Sequence, residues 1–337
     1  MRLTFHPFDL QLRHTFTIAH DSRDVQPTLI VALHDGQGNS GLGEATSNKY
    51  YGVTIQGMID ALKSVEKLVA NYQWGTPEEL WQLVNPYLKN DLFAQCALDQ
   101  AAQDLFAKKQ NKKLYEVWGL PPNPDILTNY TIGIDSVDKM VAKLKETPWP
   151  LYKIKLGTED DLAIVRELRK HTDAVFRVDA NCGWDVAKTL EIAPQLKSLG
   201  VEFIEQPLPA EQLEEMAEVY KKCALPVIAD ENCISEGDVN KCAGHFHGVN
   251  VKLTKCGGLT PALRMLRHAK SLGLKTMVGC MTETSVGISA IAHLLPLLDY
   301  VDMDGTMLIS NDPATGVILD YGNIAFSDRN GTGALLK

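Results

Sequence analysis

Eight short apolar runs, each set off by a helix-like segment, leave few ways for this chain of 337 residues to fold. They are Tyr130 to Ile134, Leu151 to Lys155, Val175 to Val178, Glu202 to Ile204, Val227 to Ala229, Gly248 to Val251, Lys275 to Val278 and Tyr300 to Met303. Strands that alternate with helices bury a parallel sheet under a helical layer, and eight such units favour a (β/α) barrel. A doubly wound open sheet is the alternative, but no GxGxxG opens the series. The chain ahead of the runs reads differently. An alternating N-terminal strand and a hairpin within Thr28 to Ala45 precede helices at Ile55 to Asn71, Pro77 to Leu88 and Asp91 to Lys109. In the last helix Leu98, Ala101, Ala102 and Leu105 fall on one apolar face. The segment GLPPNPD (Gly119 to Asp125) reads as a linker. A hairpin pattern around Tyr321-Gly322-Asn323 closes the chain and is expected to rejoin the N-terminal unit. The predicted division is an α+β domain at 1–122, a barrel at 123–310 and a returning segment at 311–337.

Composition narrows the function. With 42 acidic against 33 basic residues the formal charge is −9, and no basic stretch carries interleaved aromatics, which argues against nucleic acid as a partner. No run approaches the roughly 18 apolar residues of a membrane span, and the N-terminus has no signal-peptide core. The seven cysteines are scattered and never spaced CxxC, the usage of reduced cytoplasmic thiols rather than of a disulfide framework or zinc ribbon.

The third, fourth and fifth runs end in RVDAN, FIEQP and IADEN, so each brings one carboxylate to a strand end: Asp179, Glu205 and Asp230. They lie about one βα unit apart, and the C-terminal strand ends of such a barrel point into its active site. Clustered carboxylates raise one another's pKa unless a cation sits among them, and oxygen-only ligation favours Mg²⁺ or Mn²⁺ over Zn²⁺. Singly, each acid could instead cap a helix or pair with a base. The run LYKIKLG sets Lys153 and Lys155 two apart, on one side of a strand. Lys252 ends the sixth run, diametrically opposite the second, and Lys255 stands in the loop behind it. Lys155 and Lys252 can thus face one substrate carbon from two sides. A lysine works as a base near pH about 7 to 8, about three units below its ordinary value, and a neighbouring ammonium such as Lys153 pushes that way. Lys153 also suits contact with a substrate oxyanion. The competing reading is that the lysines line an edge or hold a phosphate or carboxylate. At the eighth run, Asp302 and Asp304 share a face, fit either to clamp a substrate ammonium or to cap a turn.

Together these positions resemble the enolase superfamily in its muconate-lactonizing subgroup, and the likeness spans nearly the whole chain, including GLGEA (Gly41 to Ala45) and MVGCMTETSVGISAIAH (Met277 to His293). The pair Asp302 and Asp304 resembles the mark of the dipeptide epimerases, alanyl-glutamate epimerases among them. The resemblance implies a modified (β/α)7β barrel with an α+β cap built from both chain ends. It implies one Mg²⁺ per subunit, replaceable by Mn²⁺, on Asp179, Glu205 and Asp230. Lys155 and Lys252 are the implied catalytic pair, with Lys153 in support, inverting the Cα of the dipeptide's C-terminal residue through an enediolate. Asp302, Asp304, Arg23 and Thr131 are the expected substrate-binding residues, Arg23 meeting a glutamate carboxylate from a specificity loop within Phe16 to Pro27. Other dipeptides, and the succinylbenzoate, acylamino acid and muconate reactions of the superfamily, are the rival readings; a noncatalytic metal-binding barrel is the rival from another class. The natural setting implied for an Ala-Glu substrate is murein peptide recycling in the cytoplasm, and a homo-oligomer is compatible with it. Two positions depart from the family's usual residues: Cys182 for Gln and Asn232 for Ser.

Overall fold

A computed structural model describes residues 1–18, 21–122 and 125–337. Ala19 and His20, within the expected specificity loop, and Asn123 and Pro124, within the expected linker, lie outside the described residues.

The chain begins with an antiparallel sheet of β1 (Arg2–Ile18), β2 (Asp21–His34) and β3 (Ser40–Thr46). The stretch expected as a specificity loop is largely strand: β1 and β2 stay paired to the end, with Phe16 opposite Arg23 and Ile18 opposite Asp21. Three helices follow, α1 (Ile55–Asn71), α2 (Pro77–Leu88) and α3 (Leu92–Lys109). Their starts are written locally. The Thr54 hydroxyl accepts the Gly57 N–H, and Thr76 with Glu79 forms a reciprocal capping box ahead of Pro77. Leu29, Val31 and Leu33 of β2 pack with Leu62, Val65 and Val69 of α1 and Leu80, Val84 and Leu88 of α2 in one apolar core.

The sequence reading of α3 as a one-faced helix needs correction, because this helix is buried on nearly every side. Some of its polar side chains are consumed by backbone that would otherwise lack partners. Asp104 accepts the Leu42 N–H at 2.8 Å, and Gln100 accepts from Glu44 N and donates to Glu44 O at 3.1 Å each. The helix thereby covers the exposed edge of β3. Gly41 and Gly43 permit it: a Cβ at either would overlap α3 backbone.

Eight parallel strands then form a single sheet in sequential order: β4 (Tyr130–Ile132), β5 (Leu151–Lys155), β6 (Val175–Asp179), β7 (Val201–Glu205), β8 (Val227–Ala229), β9 (Gly248–Val251), β10 (Lys275–Gly279) and β11 (Tyr300–Asp302). A bridge between Thr128 and Val301 joins its two ends, which makes the sheet a barrel and excludes the open alternative. The lower interior is filled by Phe203, Ile228 and Met277 against Tyr300, with the Arg177 guanidinium over the Phe203 and Tyr300 rings and bonded to Glu202 at 2.8 Å. Polar chemistry is left to the upper end.

The C-terminal segment behaves in two ways. Its hairpin, β13 (Ile318–Asp320) with β14 (Asn323–Ala325), packs on the barrel rather than the first domain: Gly322 O accepts the Thr128 N–H at 2.9 Å. The flanking strands β12 (Ala314–Thr315) and β15 (Leu335–Leu336) pair with each other and join a small core with Ile30, Ala32 and Leu42 of the N-terminal sheet. Two carboxylates of that N-terminal unit reach into barrel helices. Asp99 accepts the Thr260 N–H at 2.8 Å at the start of Leu259–Ser271, and Glu44 accepts the Thr284 and Gly287 N–H groups at the start of Ser285–Ala292. Asp99 therefore occupies the N-terminus of the helix that the CGGLTP turn (Cys256 to Pro261) opens.

Candidate active site

Strand register gathers the acids. Lys155 lies beside Asp179 and Asp179 beside Glu205, while Asp230 follows the end of β8 by one residue. Ligand oxygens of Asp179, Glu205 and Asp230 all come within 4.8 Å of one another, and the three residues are buried. Three such charges cannot stand together uncompensated. Lys153 Nζ lies 3.0 Å from Asp179, 2.8 Å from Glu205 and 2.9 Å from Asp302. Lys155 meets Asp179 at 2.7 Å, and Lys252 and Lys255 meet Asp230 at 2.7 and 2.6 Å.

Burial alone would push these groups toward their neutral forms, but the pairing overrides it for most. Asp179 is held down to about 2 by Lys153 and Lys155, and Asp230 lies below its ordinary range under Lys252 and Lys255. Lys153 and Lys252 are correspondingly raised despite their burial. Glu205 is the exception, raised by burial and by Asp179. Its buried Oε2 meets the Lys153 ammonium at 2.8 Å without a well-directed hydrogen bond. Three buried carboxylates converging within 4.8 Å, with no nitrogen or sulfur donor in the set, fit a hard divalent cation such as Mg²⁺.

Several supporting residues escaped the sequence reading. Asn250 donates to Glu205 at 2.8 Å, Asn129 donates to Asp302 at 2.8 Å, and the side-chain Oε1 of Gln206 accepts the Asp230 N–H at 2.9 Å. The first two had a signal, since each stands two residues before a selected position, Lys252 or Thr131, and so on the same side of its strand. Gln206 had none, because its conformation (φ +35°) is set by the turn it occupies. The unusual Asn232 bonds Gln206 at 2.6 Å, which braces Asp230 indirectly. Glu231 was also missed; burial and Asp230 push it up to about 7 at the cavity wall.

Asp302 and Asp304 are not equivalent. Asp302 is spent on Lys153 and Asn129, whereas Asp304 gives one oxygen to the Thr131 N–H at 2.5 Å and keeps the other, which among the described residues has only the Cys280 thiol at 4.0 Å. Burial and the Asp302 charge raise Asp304 to about 7. The two acids, Thr131, Lys153, Lys155, Lys252 and Arg23 all line one cavity of about 360 Å³, roofed by Phe16, Ile18 and the Asn48–Tyr51 segment. Every selected site residue except Asp179 and Glu205 thus borders this space, and those two lie beneath it.

Fold and site together define a barrel enzyme of the enolase type. The chain belongs to the mandelate racemase/muconate lactonizing enzyme family: residues 4–119 match its N-terminal domain and residues 135–336 match the enolase C-terminal domain-like family. It is 57% identical to an L-Ala-D/L-amino acid epimerase of Flavobacterium johnsoniae, over 100% of both chains. It is 39% identical to an L-Ala-D/L-Glu epimerase of Bacteroides thetaiotaomicron, over 99% of this chain and 88% of the relative. A solved dipeptide epimerase from Methylococcus capsulatus, complexed with Mg and the dipeptide L-Arg-D-Lys, superposes with a TM-score of 0.90 at 30% identity, covering 99% of this chain and 98% of that one.

Proposed function

We propose that this enolase-superfamily epimerase acts on dipeptides of the L-Ala-D/L-Glu kind and inverts the Cα of their C-terminal residue. The observation that carries the reading is the meeting, in one cavity, of lysines from the second and sixth strands with a free Asp304 oxygen. Asp304 accepts hydrogen bonds from the peptide's α-ammonium, with the Asp302 charge behind it. That anchor fixes which α-carbon stands between the lysines. Lys155 takes the Cα proton from one face and Lys252 returns a proton to the other; the roles reverse for the opposite epimer, so protons balance. Asp179, Glu205 and Asp230 would hold Mg²⁺, whose charge stabilises the substrate carboxylate as electron density flows into it. Lys153 ties Asp179, Glu205 and Asp302 together and so links the metal side of the site to the ammonium side. Arg23, on the roof, suits the side-chain carboxylate of glutamate. Succinylbenzoate, acylamino acid and muconate substrates carry no α-ammonium for Asp304.

The identities of the two relatives support the L-Ala-Xaa class. All seven cysteines are free, in keeping with a cytoplasmic enzyme of murein peptide recycling. Incubation with Mg²⁺ and an L-Ala-L-Xaa library in D₂O tests the proposal. Deuterium should enter L-Ala-L-Glu at the C-terminal Cα, and absence of exchange in every dipeptide would refute it.

A further inference from the structure

We propose that Asp21 broadens the substrate range by serving as a resident counter-charge for Arg23, so that the pocket takes uncharged as well as acidic C-terminal side chains. The inference rests on the epimerase reading above and concerns how its side-chain pocket discriminates. Both residues stand on the β1–β2 ribbon over the cavity, and both are about three-quarters buried, with side chains 23% and 24% exposed. Arg23 Nη1 donates to Asp21 at 3.0 Å. The Phe16 ring, across the ribbon, has its centroid 5.6 Å from the guanidinium carbon, within cation–π reach.

The other edge of the guanidinium is nearly unused. Among the described residues its Nε is buried without a hydrogen-bond partner, and Nη2 reaches only the Thr282 hydroxyl at 3.5 Å. That Nε/Nη2 edge can make the parallel pair of N–H···O bonds by which arginine recognises a carboxylate. An acidic side chain can therefore dock without displacing Asp21.

The consequence concerns the other substrates. A largely buried guanidinium facing an uncharged side chain would, without a resident partner, be left unpaired, and a pocket holding such a group rejects that ligand strongly. Here Asp21 keeps Arg23 paired whichever side chain arrives. The same carboxylate repels an incoming glutamate, so attraction for the acid is reduced while tolerance for its neutral counterpart rises. Lys49, 3.4 Å from Asp21 but 84% exposed, is screened by solvent and restores little of the lost attraction.

L-Ala-L-Glu and L-Ala-L-Gln differ by one charge at nearly constant shape, and the ratio of their kcat/KM values reads the effect directly. Asp21→Asn should raise the Glu-over-Gln ratio by about tenfold, chiefly through KM, as expected for one charge removed a few ångströms from a partly desolvated pair. Arg23→Gln should lower the ratio below that of the wild type. A ratio unchanged or lowered in Asp21→Asn would overturn the inference and leave Asp21 as a mere prop for Arg23. Failure of the wild type to epimerise either peptide would instead remove the underlying reading, and the inference with it.

Discussion

Replacing Asp304 with asparagine should strengthen the fold and weaken catalysis at once. The carboxylate is 2% exposed and stands beside Asp302, and this setting lifts it from an ordinary value of 3.8 to about 7. Between those values the folded chain holds a proton that the unfolded chain releases, so stability drains away as pH rises from about 4 to 7. Three units correspond to an upper limit of about 4 kcal/mol, and about 1–2 kcal/mol is the expected gain once water and side chains relax around the charge. Asparagine preserves the acceptor for the Thr131 N–H and carries no charge to bury. The midpoint of thermal unfolding should therefore rise by about 1–3 °C near pH 8, with the gain shrinking toward about pH 4. Catalysis moves the other way. Loss of a charge-assisted hydrogen bond to the substrate ammonium costs about 2–4 kcal/mol, or about 30-fold to 1,000-fold in kcat/KM, mostly through KM. Thermal scans at two pH values and steady-state kinetics with L-Ala-L-Glu measure both sides. If kcat/KM stays within about threefold of the wild type, the ammonium anchor is wrong. A lower midpoint near pH 8 would refute the electrostatic account of the burial.

Three further outcomes are expected. Lys155→Ala and Lys252→Ala should each lower epimerisation by about 10³-fold or more with the far-ultraviolet circular dichroism unchanged, since Lys153 still covers Asp179 and Lys255 still covers Asp230; wild-type turnover in either would end the two-base scheme. Dialysis against EDTA should abolish turnover, and added Mg²⁺ or Mn²⁺ should restore it, while full activity in the dialysed protein would show that the three carboxylates serve another purpose. Gly43→Ala would drive a methyl into the Ala97 carbonyl and to 2.7 Å from Ala101 N, both backbone atoms that cannot swing aside. Such overpacking should cost about 2–4 kcal/mol in denaturant unfolding, and an unchanged midpoint would show that α3 can stand off from β3 without loss.

The sequence by itself determined the barrel strands and the meeting place of the three acids with the lysines, because both depend on short-range rules. Side chains alternate along a strand, and one βα unit advances the chain to the next strand, so Asp179, Glu205 and Asp230 could be assembled by counting. Helix starts at Thr54 and Thr76 were written in the same local way. Tertiary structure alone decided what depends on who stands opposite. Periodicity read α3 as one-faced, yet its polar positions meet the edge of β3 and the start of Leu259–Ser271, contacts made between residues up to 161 apart in the chain. The specificity segment lost its character as a loop because cross-strand pairing carries Phe16 onto Arg23. Asp302 and Asp304, equal on paper, were separated by partners 149 to 173 residues away, so that one is consumed by Lys153 and the other keeps an oxygen toward the cavity. Local pattern sets which side of an element a residue occupies; the balance of charge and desolvation around it exists only after distant segments close on one another.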